Sequence, residues 1–217
     1  MRRIGIVDVG AGGAAALAGA VDRVGSSAAT SVELVASPAA LAGCAALLIP
    51  ALESFQQLSA RLDDDLREAM AQHVERGSLL MGIGVGMHVL FDESAEAPGA
   101  RGLGLLAGRC EALAPSTEPM TRDRTHVPHV GWNRLVIELG GMASGAVPLP
   151  QGAWVYFAHA YHAVPQDLAC VTATVEYGKG RVAAVVASNN VVGMQFRPER
   201  SGAVGLRILH AVLSRWS

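Results

Sequence analysis

Gly82-Ile83-Gly84-Val85-Gly86-Met87-His88 decides the reading of this chain. Leu79, Leu80 and Met81 lead into it as a short apolar run, the pattern of a buried strand, and Met87 to Phe91 continue as the apolar start of a helix. A strand that turns sharply into a helix brings two backbones close together, and glycines at the outer positions of the turn permit that approach. In strand–elbow–helix sites that carry covalent chemistry, the residue between two such small positions is a Ser or Cys exposed on a strained turn above the sheet. Here Gly82 and Gly86 keep the outer positions, but a third glycine, Gly84, stands between them. It has no side chain with which to attack a substrate.

Outward from this turn, the first part of the chain alternates strands and helices. Arg3 to Asp8 reads as a buried strand, Ala14 to Val24 as a helix, and Val32 to Val35 and Ala45 to Ile49 as two further strands. Phe55, Leu58, Leu62, Leu66, Met70 and Val74 recur at helical spacing, which predicts one amphipathic helix with Asp63, Asp64 and Asp65 towards solvent. Ser78 to Ile83 is the strand that feeds the elbow. From Gly102 the texture becomes β-rich, with short pieces around Val127, Leu135 to Ile137, Val155 to Ala158, Val171 to Val175 and Arg181 to Val186. Glu176 to Gly180 reads as a hairpin connection, and Ala203 to Leu213 as a closing helix. The expectation is one α/β domain over 1–217, with a mixed sheet extended by antiparallel strands.

Composition narrows the classes of function. The 217 residues suffice for one sizeable core, and 51% are hydrophobic. No apolar stretch approaches the ~18 residues of a membrane span, and Met1-Arg2-Arg3 runs straight into a strand, so a cytoplasmic chain without membrane association is expected. A net charge of −2 gives no electrostatic case for binding nucleic acid. Cys44, Cys110 and Cys170 are widely spaced in apolar surroundings and read as buried free thiols. His126 with His129, and His159 with His162, have a spacing compatible with metal ligation. No acidic or Cys partner lies nearby, so core or interface histidines are the better reading, and no metal or cofactor is expected.

The stretch Ser78 to Glu96, including Ser94 and Glu96, resembles the elbow of class I (triad) glutamine amidotransferases, and within them the glutaminase subunit of imidazole glycerol phosphate synthase. Four further stretches agree in order: Ile6-Val7-Asp8 with Gly10 and Gly12; Val127-Pro128-His129-Val130-Gly131-Trp132-Asn133; Tyr156-Phe157-Ala158-His159-Ala160-Tyr161; and Gln195-Phe196-Arg197-Pro198-Glu199-Arg200-Ser201. The resemblance covers nearly the whole chain. It implies a flavodoxin-like three-layer α/β fold with a mixed central sheet.

In that family an elbow Cys attacks the glutamine side-chain amide, a His oriented by a Glu moves protons, and backbone N–H groups hold the oxyanion. By motif, the nucleophile position is Gly84, the base position Arg197 and the orienting acid Glu199. Glu199 matches the family; an arginine keeps its proton near neutral pH and cannot act as a base. The family's Pro-Gly-x-Gly loop stands here as Pro50-Ala51-Leu52-Glu53, with negative charge at Glu53. Val85 follows the elbow glycine, His88 replaces a glutamine, and Val9 and Gly13 replace a Tyr and an Asn of the first loop. Arg197 is expected to fill the pocket as a cation paired with Glu199, Glu53 or both.

The resemblance also implies a partner, a (β/α)8 cyclase-like subunit in a heterodimer, met through His129, Trp132, Asn133, Tyr156, His159 and Tyr161. Three functions compete. The first is a non-catalytic docking subunit that supports ammonia-dependent chemistry in histidine biosynthesis or a related pathway. The second is an active or residual amidotransferase supplying ammonia from glutamine, and the third is a small-anion sensor in the emptied pocket. Loss at the triad beside retention of the partner-facing stretches favours the first.

Overall fold

The computed structural model describes residues 2–25, 30–115, 126–138 and 147–216. Its centre is a parallel core: β1 (Arg2–Val7), β2 (Thr30–Val35), β3 (Ala46–Ala51), β4 (Leu79–Gly84) and β13 (Val191–Met194) run the same way. β12 (Gly180–Ser188), β11 (Val171–Tyr177) and β8 (Val136–Ile137) extend it antiparallel, giving the order β2-β1-β3-β4-β13-β12-β11-β8. The inner strands β3, β4 and β13 read as apolar runs because both faces are covered, while the edge strand β2 leaves Glu33 and Leu34 exposed.

One face packs against α1 (Ala14–Val24) and α6 (Gly202–Arg215), through Leu17, Ala20, Val21, Ile208, Leu209 and Val212. The other packs α2 (Pro38–Ala42), α3 (Phe55–Arg61), α4 (Asp64–Glu75) and α5 (Val85–His88), through Leu41, Phe55, Leu58, Leu66, Met70 and Met87. Three layers result, the arrangement that the resemblance implied. A small sheet of β10 (Tyr161–Pro165), β6 (Gly108–Ala112) and β5 (Glu93–Ser94) and a two-stranded ribbon of β7 (His129–Arg134) and β9 (Trp154–His159) complete the described strands.

Two helical expectations change. The amphipathic stretch from Phe55 is two helices, because Asp63 is extended and its carboxylate accepts the Leu66 N–H at 2.9 Å, capping a new start at Asp64. Asp63, Asp64 and Asp65 are exposed, as expected. The helix after the elbow ends at His88 and does not run to Phe91. The carbonyls of Val89, Leu90 and Phe91 accept instead from the N–H groups of Leu103, Leu105 and Gly104, which draws the chain into a buried loop. Among the described residues no helix is long and apolar enough to cross a membrane, and the three cysteines are buried free thiols.

Candidate functional site

Close backbone approach builds the elbow. Gly84 ends β4 at φ 62° and ψ −121°, where L side chains are rarely found. A Cβ on Gly82 would overlap the carbonyl oxygen of Gly86, and one on Gly86 would overlap that of Ile49 in β3. The outer glycines are therefore what lets α5 start against the sheet, with half-buried Val85 as its first residue. Gly84 keeps the backbone of a strained turn and lowers the ~1–3 kcal/mol such a conformation costs a side-chain-bearing residue.

Arg197 and Glu199 sit in the turn after β13. Arg197 Nε donates to Glu199 Oε1 at 2.7 Å, and the two side chains are 14% and 6% exposed. The backbone around the pair is tied to β9: the Arg197 N–H donates to the Tyr156 carbonyl at 2.9 Å. The Ser201 hydroxyl donates to the Arg197 carbonyl at 2.7 Å and accepts the Tyr156 N–H at 2.9 Å.

Glu53 is not the second partner of Arg197. Its carboxylate takes Arg61 Nη1 at 2.7 Å, and the same nitrogen donates to the Gly10 carbonyl. Arg61 lies in the last turn of α3, within reach of the loop that precedes that helix, and takes Glu53 as its ion-pair partner. The N–H groups of Leu52 and Glu53 both donate to the Ala11 carbonyl, at 3.1 and 3.3 Å. The following helix is fixed as well, by a Ser54–Gln57 capping box and by Glu96 Oε2, which accepts the Phe55 N–H at 3.0 Å. The loop that would offer an oxyanion its amides thus spends two of them on the first loop.

His88 is fully buried, with Nε2 2.8 Å from Gln195 Oε1. Burial pushes its imidazole down to about 4, so the ring is neutral and Nε2–H donates to the amide oxygen. His88 Nδ1, Gln195 Nε2 and Glu199 Oε2 are buried without a protein hydrogen-bond partner.

The β7–β9 ribbon pairs His129 with His159 and Trp132 with Tyr156. His159 Nδ1–H donates to the Tyr161 carbonyl at 2.9 Å, which leaves Nε2 to accept from His129 Nδ1–H at 3.0 Å. His129 also stacks on Phe157 and Tyr177, at 4.7 and 3.9 Å between ring centroids. Burial pushes these imidazoles down to about 4 and about 3, so both are neutral. The two histidines therefore support the ribbon from beneath. Its outer face presents Val130, Trp132 and Trp154, each more than half exposed, with Trp132 edge-on to Tyr156 and the Arg200 guanidinium over the Tyr156 ring. Asn133 turns to the hairpin, donating to the Glu176 carbonyl at 2.9 Å, and Tyr161 is half-buried. Of the expected partner-facing residues, Trp132 and Tyr156 are those this geometry brings together at the surface. Among the described residues no group of three or more His, Cys, Asp or Glu is placed to hold a metal ion.

No family model matches the chain. Curated relatives do. The chain is 37% identical over 211 residues to imidazole glycerol phosphate synthase subunit HisH of a Synechococcus strain, covering 95% of this chain and 91% of the relative. The HisH subunit of Bacillus velezensis is 37% identical over 213 residues, with 95% and 93% covered. The chain belongs to the HisH family. Among solved structures, PurLQS from Thermotoga maritima superimposes with a TM-score of 0.73 at 19% identity, over 100% of this chain and 99% of that one. A glutamine amidotransferase superimposes with a TM-score of 0.66 at 18% identity, over 98% of each chain, and together these likenesses show the class I glutamine amidotransferase fold.

Set in the HisH frame, the three positions that the motifs single out offer no nucleophilic atom at Gly84, a permanent cation at Arg197 and a carboxylate at Glu199 already bonded to that cation. Four contributors to the site escape the motif reading. Arg61 and the Ala11 carbonyl act on the 50–53 loop through folding back of the chain, which local sequence does not encode. Gln195 and Ser201 lie inside the Gln-Phe-Arg-Pro-Glu-Arg-Ser stretch, and that position was the available signal.

Proposed function

We propose that this HisH-family chain is the glutaminase-type subunit of an imidazole glycerol phosphate synthase that docks on a (β/α)8 cyclase-like partner without hydrolysing glutamine itself. The assembly is a cytoplasmic heterodimer serving histidine biosynthesis or a related specialised pathway, and this subunit supports ammonia-dependent chemistry there. The ion pair of Arg197 with Glu199 carries the non-hydrolytic part of the reading. By motif Arg197 takes the base position, and a guanidinium already bonded to Glu199 cannot accept a proton there, while Gly84 at the nucleophile position has no attacking atom. Docking rests on the relatives, which are named as synthase subunits, and on the aromatic face of the ribbon.

The second reading, an active subunit supplying ammonia from glutamine, is favoured by 37% identity to curated HisH subunits over nearly the whole chain. Reconstitution with a cyclase-type barrel separates the two. The proposal expects a stable complex that forms product from ammonium salt and none from glutamine. Product from glutamine at a rate matching ammonium would establish the second reading.

A further inference from the structure

A cleft of about 410 Å3 opens between β10 and the β11–β12 hairpin, on the sheet face that packs α2 to α5. That size falls among small-molecule sites, which span roughly 300–1,000 Å3. Ala163, Pro165, Val171 and Ala183 make a buried apolar floor, and Leu168 stands exposed at the lip. One wall is polar. Thr174 Oγ1 donates to Glu138 Oε1 at 2.6 Å, and Arg181 Nη1 lies 3.1 Å from the same oxygen. Both contacts fall on Oε1; among the described residues Glu138 Oε2 and the other Arg181 nitrogens have no hydrogen-bond or ion-pair partner, which leaves them to a ligand. The two side chains are 28% and 51% exposed, placing this charge pair at the mouth. His162 lines the cleft from β10, and burial lowers its imidazole, so it adds a neutral polar group and no charge. None of these residues belongs to the elbow, to the Arg197–Glu199 turn or to the β7–β9 ribbon.

We propose that this cleft binds a small zwitterion, an α-amino acid with an apolar side chain. The planar guanidinium of Arg181 suits a carboxylate, the free oxygen of Glu138 suits an ammonium group, and an apolar side chain covers Val171 and Ala183. A ligand with one charge is attracted by one member of the mouth pair and repelled by the other, which makes the double charge the basis of selection.

Calorimetric titration of the full chain with L-phenylalanine and L-leucine tests this, beside phenethylamine and phenylpropionate as single-charge analogues. Saturable millimolar binding is expected for the amino acids, and at least about tenfold weaker binding for each analogue. Arg181→Met and Glu138→Gln, both at the exposed mouth, should each weaken L-phenylalanine by about tenfold while leaving the thermal melt of the free chain in place. Absence of saturable binding, equal affinity for a single-charge analogue, or an unchanged affinity in Arg181→Met would overturn the proposal. The experiment needs no partner subunit and no glutamine, so its outcome is independent of the proposed docking role.

Discussion

Replacing Arg197 by Met isolates the buried ion pair of Arg197 with Glu199, which the proposed function puts at the base position. The two side chains are 14% and 6% exposed, so the pair is largely removed from water. Glu199 Oε1 depends on Arg197 Nε at 2.7 Å, and Glu199 Oε2 is buried without a protein partner. Removing the guanidinium therefore leaves a buried carboxylate with nothing to compensate its charge, a situation that costs roughly 3–5 kcal/mol. The double variant Arg197→Met with Glu199→Leu removes both charges and should be close to neutral, since replacing a whole buried pair by apolar groups is often harmless. Urea unfolding at neutral pH reads both changes as shifts of the midpoint at constant slope, and the double-mutant cycle gives the coupling. A loss below about 1 kcal/mol in Arg197→Met, the size of an exposed ion pair, with no coupling in the cycle, would refute the reasoning.

Gly84→Cys should lower stability by ~1–3 kcal/mol, because a side chain is forced onto a positive φ, and should leave glutamine turnover at background because Arg197 still cannot take a proton. Chemical denaturation and an ammonia assay check the two halves. Acid should destabilise the fold through His88, His129 and His159, whose folded values lie below the ordinary histidine value of 6.5. Stability tied to the neutral rings is complete above that value and falls as pH drops from about 6.5 through about 4 for His88 and His129 and on to about 3 for His159; His88 alone accounts for roughly 3 kcal/mol. Melting temperature against pH checks this, and His88→Gln should flatten the profile. Trp132→Ala should weaken a barrel complex by at least about tenfold without changing the melt of the free subunit, as read by titration of the complex.

Much of the fold was legible because apolar spacing reports burial directly. The helix over Ala14–Val24 coincides with its prediction, since Leu17 and Val21 mark the buried stripe. The glycines around Gly84 announced the elbow because only close backbone approach requires them. Strands β10 and β13 were missed for different reasons: β10 starts just after β9 and ends at Pro165, and β13 spans Val191–Met194, too short to show a period. The break between α3 and α4 did have a signal, an Asp followed by two acidic residues in a first turn, overridden by the continuous apolar stripe. At the site, residue types gave the chemistry of Gly84, Arg197 and Glu199. They could not give the partner of Glu53, because Arg61 reaches it only once α3 has formed, nor the amides of Leu52 and Glu53 on the Ala11 carbonyl. Backbone contacts between distant loops leave no trace in side-chain type.

Release of labelled ammonia from amide-labelled glutamine, by the purified chain saturated with its cyclase-like partner, tests the central claim most directly. No labelled ammonia above the partner-only background is predicted, with product still formed when ammonium salt is supplied. Labelled ammonia released in proportion to the complex, and lost in Glu199→Ala, would contradict it.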